Sequence, residues 1–183
     1  DGNFLANYWG SERVYHHTAP INMSVGLYEA LRVIEEEGQS AVFARHTLNH
    51  VALKAGMAAI QMEYTAEEGH QLPMLNAVRI PAGVDDAATR RALLEEFGIE
   101  IGGGLGAFKG QVWRIGLMGH AARKNNVLLY MAAVEQLVER AGKLDEPGAT
   151  VAAANEVFGK SREEGRFRCL YLRAILVKKF GGA

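Results

Sequence analysis

Cysteine is nearly absent. The 183-residue chain holds one, Cys169, so no internal disulfide is available and the fold must rest on packing. A lone thiol also fits a reducing compartment, and the expected location is cytoplasmic. Net charge is scarce too: the formal value of -1 argues against a broad nucleic-acid-binding surface, with acidic residues prevailing in the body and basic ones in the tail. No apolar run approaches the roughly twenty residues that a membrane helix needs, so no membrane partner is expected. No serine or cysteine nucleophile stands beside a plausible base. The opening Asp1-Gly2-Asn3-Phe4-Leu5 has neither an initiating methionine nor a signal pattern, and it reads as the continuation of a longer chain. What is present, 49% hydrophobic and 22% charged residues, is the composition of a globular domain with a real core.

Periodicity orders that core. Leu27, Leu31 and Ile34 recur at helical spacing before Gly38, which predicts a helix over residues 24–37 with one buried stripe. Leu53, Met57 and Ile60, with Ala52, Ala55 and Ala59 beside them, predict a second helix over 40–62. The period then shortens: residues 74–80 alternate and run into Pro81-Ala82-Gly83, as a strand does. Asp85 or Asp86 can cap a helix that buries Leu93, Leu94 and Phe97 and stops at Gly98. A brief strand over 99–101, another over 111–118 and a helix over 124–140 complete an α/β body, a mixed sheet backed by helices. Beyond residue 141, residues 149–157 and 168–180 are candidate helices in a segment of different composition.

In the strand Gln111-Val112-Trp113-Arg114-Ile115-Gly116-Leu117-Met118, Trp113, Ile115 and Leu117 share one face and Val112, Arg114 and Gly116 the other. A guanidinium beside a glycine offers a planar fork to an approaching carboxylate. An arginine on an exposed edge, or one paired with an internal acid, fits the same pattern. Gly102-Gly103-Gly104-Leu105-Gly106-Ala107 satisfies a dinucleotide-binding pattern in form, but a strand rather than a helix follows it, so it reads as a turn or a substrate-side loop. His46 and His50 share a helix face at metal-ligand spacing, yet Thr47 stands where a zinc hydrolase needs glutamate and no third ligand is evident. A solvated or hydrogen-bonded helix face is the expectation there, with no metal. Tyr15-His16-His17-Thr18 offers hydroxyl donors for a phosphate, or equally a turn that satisfies its own backbone.

Together, Tyr8-Trp9-Gly10, Tyr15-His16-His17-Thr18-Ala19-Pro20, Leu72-Pro73, Gly98-Ile99-Glu100-Ile101 with Gly103-Gly104-Leu105-Gly106, and Val112-Trp113-Arg114-Ile115-Gly116-Leu117-Met118-Gly119 resemble the class V aminotransferases of the alanine–glyoxylate and serine–pyruvate branch. The resemblance covers about residues 4–140. It implies the C-terminal small domain of the fold-type I pyridoxal-phosphate transferase fold: residues 1–23 as an interface and cofactor-phosphate loop region, 24–141 as the small domain, and 142–183 as an extension. It also implies a homodimer that uses pyridoxal 5'-phosphate to move an amino group from alanine or serine to glyoxylate or pyruvate. By the same resemblance Arg114 grips the substrate α-carboxylate, while Tyr15 and Thr18 reach the cofactor phosphate of the neighbouring subunit. The family's Schiff-base lysine falls upstream of the Tyr15–Thr18 loop by more than this chain contains. The resemblance therefore implies that the chain as given carries no catalytic lysine and transfers no amino group, leaving a noncatalytic carboxylate-binding or interaction module as the alternative.

Overall fold

The computed structural model of the chain describes residues 18–143 and 146–163. It divides into two compact units, Asp1–Gln39 and Ser40–Ala183.

The first unit contributes helix α1 (Ile21–Glu37). Pro20 precedes it, a residue whose fixed φ suits a helix start, and Gly38 ends it in the left-handed region at φ 84°. Arg32 braces its outer surface by pairing with Glu29 and Glu36. The expected apolar stripe is present but not buried: Leu27, Leu31 and Ile34 are all exposed, and no residue of α1 is buried. Helical spacing reports which side chains share a face. It does not report whether anything covers that face.

The second unit is an α/β body. Helix α2 (Gln39–Ala59) ends just before Gln61, which takes the left-handed conformation at φ 58°. Then come strand β1 (Leu75–Arg79), helix α3 (Asp86–Phe97), strand β2 (Gly102–Gly103), strand β3 (Val112–Gly116), helix α4 (Lys124–Arg140) and helix α5 (Ala149–Glu163). Asp85 caps α3 by accepting from the Ala88 amide at 2.7 Å, and Gly98 closes it in a left-handed turn.

The three strands lie in the order β1-β3-β2. The expected layering of sheet and helices holds, but both pairings are antiparallel rather than mixed. Only residues 104–111 join β2 to β3, and a parallel neighbour needs a crossover of a dozen residues or more. A second difference lies in β2 itself: the strand expected over 99–101 is displaced onto the glycines. Ile101 is buried as it approaches the sheet, and the ladder forms one step later, with Gly102 opposite Arg114 and Gly103 opposite Trp113. Low strand propensity hides this pairing from the sequence, although backbone hydrogen bonding needs no side chain.

Alternation assigns the faces of the sheet. Asn76 and Val78 of β1, with Trp113 and Ile115 of β3, turn towards the helices and are buried. There they meet Leu53 and Met57 of α2, Leu93 of α3, and Val127, Met131 and Val134 of α4 in one core. α5 belongs to the same core through Ala154 and Phe158. Gly56 permits the close approach of α2 to α4 and α5: a Cβ there would run into the Met131 sulfur and stand 3.0 Å from the Thr150 carbonyl oxygen.

Candidate substrate-carboxylate site

On the opposite face of the sheet stands Arg114, half-buried, with Ala77 of β1 on one side and Gly102 of β2 on the other. Two small neighbours leave the long side chain free to lie flat. Its Nε donates to the Gly103 carbonyl oxygen at 2.8 Å. A Cβ built on Gly102 would lie 3.1 Å from Nη2 and 3.4 Å from both Cζ and Nε, so the guanidinium rests face-on against the glycine. One of the five N–H groups is thereby spent on orienting the fork. Among the described residues no carboxylate forms an ion pair with Arg114. Of the three readings the strand pattern allowed, the internally paired arginine is absent from the described part of the chain and β3 is the central strand rather than an exposed edge, so an oriented donor fork remains.

The glycine run beside it supplies strand β2 and then a turn, with no α-helix N-terminus behind it of the kind a nucleotide loop needs. A 3-10 turn (Gly106–Phe108) follows, and the chain then passes into β3. Gly104 is held by close packing, since a Cβ there would collide with the Phe108 carbonyl.

The segment that follows β3 is fixed from α2. Arg45 donates to the carbonyl oxygens of Gly119 and Ala122 at 2.9 and 2.8 Å, and Asn49 Nδ2 donates to that of Ala122 at 3.2 Å. His46 sits between two backbone groups: Nδ1 lies 2.7 Å from the Val42 carbonyl oxygen, and Nε2 accepts the Gly119 amide at 3.0 Å. A carbonyl can only accept, so Nδ1 is the donor of the first contact and the Nε2 lone pair the acceptor of the second. His50, one turn on, places Nδ1 2.6 Å from Asn76 Oδ1, which also accepts from the Tyr64 hydroxyl at 3.0 Å. Burial holds the His50 pKa below its ordinary value, with the Asn76 contact opposing, and burial raises that of Tyr64. Both histidines are thus engaged in building the core side of the sheet, in line with the hydrogen-bonded helix face expected from sequence. Among the described residues no group of three potential ligands could hold a metal ion.

Other residues singled out from sequence lie elsewhere. Thr18 is exposed just ahead of α1, in the first unit, and Tyr15 lies outside the described residues, as does Cys169. Of the lysines in described positions, Lys54 pairs with Glu68, Lys160 with Glu156, and Lys124 lies 5.1 Å over the Phe158 ring. Within the second unit, the donors of Arg114 suit a carboxylate. Among the described residues this donor set alone does not hold pyridoxal phosphate.

Sequence reasoning missed Asp86, Arg90 and Trp113 as a cluster behind the site. Asp86 Oδ1 accepts from Arg90 Nε at 2.8 Å and from Trp113 Nε1 at 3.0 Å, and Oδ2 accepts from Arg90 Nη2 at 3.1 Å. The Arg90 hydrogen bonds hold the Asp86 carboxyl below the ordinary aspartate range. The four-residue spacing of Asp86 and Arg90 was visible as a helix-face pair; the tertiary link to Trp113 was not.

No family model matches the chain. Ureidoglycine–glyoxylate transaminase from Bacillus subtilis (strain 168) is 37% identical over 154 residues, 84% of this chain and 37% of that protein. Its crystal structure superposes with a TM-score of 0.79 at 36% identity, covering 87% of this chain and 41% of that one. Alanine–glyoxylate aminotransferase from Nostoc sp. is 48% identical at a TM-score of 0.69, covering 75% of this chain and 37% of its own. Pyridoxamine–pyruvate aminotransferase from Mesorhizobium loti is 31% identical at 0.77, with 85% and 40% covered. The chain spans about two fifths of the length of these relatives and matches their C-terminal portion. It belongs to the aminotransferase family that includes the alanine–glyoxylate, ureidoglycine–glyoxylate and pyridoxamine–pyruvate enzymes.

Proposed function

We propose that this chain is the part of a pyridoxal-phosphate-dependent aminotransferase that grips the α-carboxylate of the amino and keto acid substrates, with Arg114 as the grip. The observation that carries this reading is the half-committed guanidinium. Its Nε is tied to the Gly103 carbonyl, its plane is set against Gly102, and no described carboxylate pairs with it. A fork fixed by its own backbone bonds a planar anion with little further loss of side-chain freedom.

The relatives' names point to glyoxylate and pyruvate as acceptors, and alanine or serine is the proposed donor. Pyridoxal phosphate would supply the carbonyl that takes up the amino group and the electron sink that makes the α-proton acidic. The contribution of this chain is orientation. With the carboxylate held in the Arg114 fork, the α-carbon is confined to an arc above the sheet, and Ala77, Gly102 and Gly116 leave that face open for a small acid. The Tyr15 and Thr18 hydroxyls would donate to the cofactor phosphate of the second subunit of a homodimer, as the family resemblance implies. The single cysteine suits a cytoplasmic setting. Residues 24–141 would form the small domain, with 1–23 the interface loop and 142–183 an extension whose α5 packs on it. No lysine of this chain is assigned the Schiff-base role, so the chain alone is proposed to be noncatalytic.

In the complete enzyme, Arg114→Ala is expected to weaken substrate binding by about 2–4 kcal/mol, the loss of a charge-assisted bidentate bond, seen mainly as a raised KM for alanine and for glyoxylate. Steady-state kinetics measure it. An unchanged KM and kcat would remove Arg114 from the substrate site.

A further inference from the structure

Strand β2 is two glycines long, and a guanidinium lies on each side of it. Arg114 lies against Gly102 on the open face of the sheet, with Nη2, Cζ and Nε at 3.1, 3.4 and 3.4 Å from where a Cβ would stand. Arg90 lies against Gly103 on the helix face, with Cζ, Nε and Nη2 all 3.4 Å from the corresponding point. Three atoms of a planar group at equal or nearly equal distances from one point place that point over the plane, so each guanidinium lies face-on to the position of the missing Cβ. Successive residues of a strand present opposite faces, which is why the two cations lie on opposite sides. Gly103 joins them: Arg90 packs over it, and its carbonyl accepts the Nε of Arg114. Arg90 is itself fixed by two hydrogen bonds to Asp86, and Asp86 is anchored to the strand that carries Arg114 through Trp113 Nε1 at 3.0 Å. Trp113 is wholly buried, so this anchor does not move with the surface.

We infer that Arg90, clamped by Asp86, is a positioning residue for Arg114: its flat face backs the Gly103 peptide whose carbonyl sets the plane of the substrate-gripping fork. The inference rests on the assignment of Arg114 as the carboxylate grip. Arg90 touches no substrate. Without it the three atoms that stand nearest the Cβ position of Gly103 are gone, and the fork loses its reference.

The test uses the complete enzyme with three variants, Arg90→Met, Arg90→Lys and Arg114→Ala. Four quantities are read: the KM and kcat for alanine, the dissociation constant of propanoate by calorimetry, and the thermal midpoint. Arg90→Met is expected to raise the alanine KM and the propanoate dissociation constant together by about tenfold, as a misplaced binding group does, with kcat changed much less. Arg90→Lys keeps the charge opposite Asp86 but not the flat face. It is expected to restore the thermal midpoint without restoring propanoate binding. Arg114→Ala should exceed both. Loss of propanoate binding in Arg114→Ala with normal binding in Arg90→Met would overturn the positioning role and leave the carboxylate assignment standing. Full rescue by lysine would assign Arg90 to the ion pair alone and also overturn it. Normal propanoate binding in Arg114→Ala would remove the carboxylate assignment and the inference with it.

Discussion

At the scale of single residues, the three consecutive glycines show how one composition serves three separate constraints. Gly102 gives up a side chain so that Arg114 can lie flat, and a methyl group there would displace the guanidinium by a few tenths of an ångström. Gly103 meets Arg90 at ordinary van der Waals distance, so a methyl group fits. Gly104 is closed by the Phe108 carbonyl, which is backbone and cannot swing aside. The three alanine substitutions should therefore separate. Gly104→Ala is expected to cost about 1–3 kcal/mol of stability, as overpacking against fixed atoms does, while Gly103→Ala stays within about 0.5 kcal/mol. In the complete enzyme Gly102→Ala should leave stability nearly intact and, on the proposed role of Arg114, raise the alanine KM severalfold. Urea denaturation with steady-state kinetics on each variant checks the order, and equal destabilisation by all three would refute it. The sequence shows only a glycine run, because the partners of these positions come from α3, β3 and the turn after β2.

At the scale of elements, legibility followed the strength of the side-chain period. Helix α4 was read at 124–140 and is Lys124–Arg140, because Val127, Tyr130, Met131, Val134, Leu137 and Val138 form an unbroken stripe that is buried along its length. The stop of α3 at Gly98 was equally legible and its start was narrowed to Asp85 or Asp86, of which Asp85 is the cap, since both ends act through local backbone geometry. β2 was misplaced because glycines carry no period. The Arg114 site was half legible: alternation put Arg114 opposite Trp113 and Ile115, but the bond to Gly103 depends on a strand pairing that periodicity did not signal.

Helix α5 owes its placement to an interaction equally invisible in sequence. Glu135 of α4 accepts from the Gly148 and Thr150 amides and from the Thr150 hydroxyl, so a carboxylate from one helix caps the N-terminus of the next. Burial pushes its pKa up, but the Thr150 and Gly148 hydrogen bonds outweigh that and hold it below the ordinary glutamate value. A folded-state pKa below the unfolded one contributes stability above the unfolded value and loses it as pH falls through the folded value. Glu135→Gln is thus expected to destabilise by about 1–3 kcal/mol at pH 7, with the gap from wild type shrinking as pH falls below about 4.3. Urea midpoints at pH 7 and pH 3 measure this. A gap that persists undiminished at pH 3 would show that the negative charge is not what secures α5.

At the scale of the whole chain, the two units differ in what sustains them. The second has a core in which Leu53, Met57, Trp113, Val127 and Val134 are wholly buried, and its helices persist because unfolding any of them would expose that core. Helix α1 has no buried residue. Its support is local: the Glu29–Arg32–Glu36 pairs on an exposed surface, which water screens, and the propensity of a helix only somewhat above the length that is marginal in water. The chain covers about two fifths of its relatives, and burial within the chain as given leaves Leu27, Leu31 and Ile34 exposed. Native-state hydrogen exchange on that chain should therefore divide sharply. The amides of α1 are expected to exchange nearly as fast as those of an isolated peptide helix, and those of α4 only through global opening, several orders of magnitude more slowly. Equal protection in α1 and α4 would mean that the Leu27–Leu31–Ile34 stripe is covered in solution after all, and that burial, not local propensity, holds the first helix.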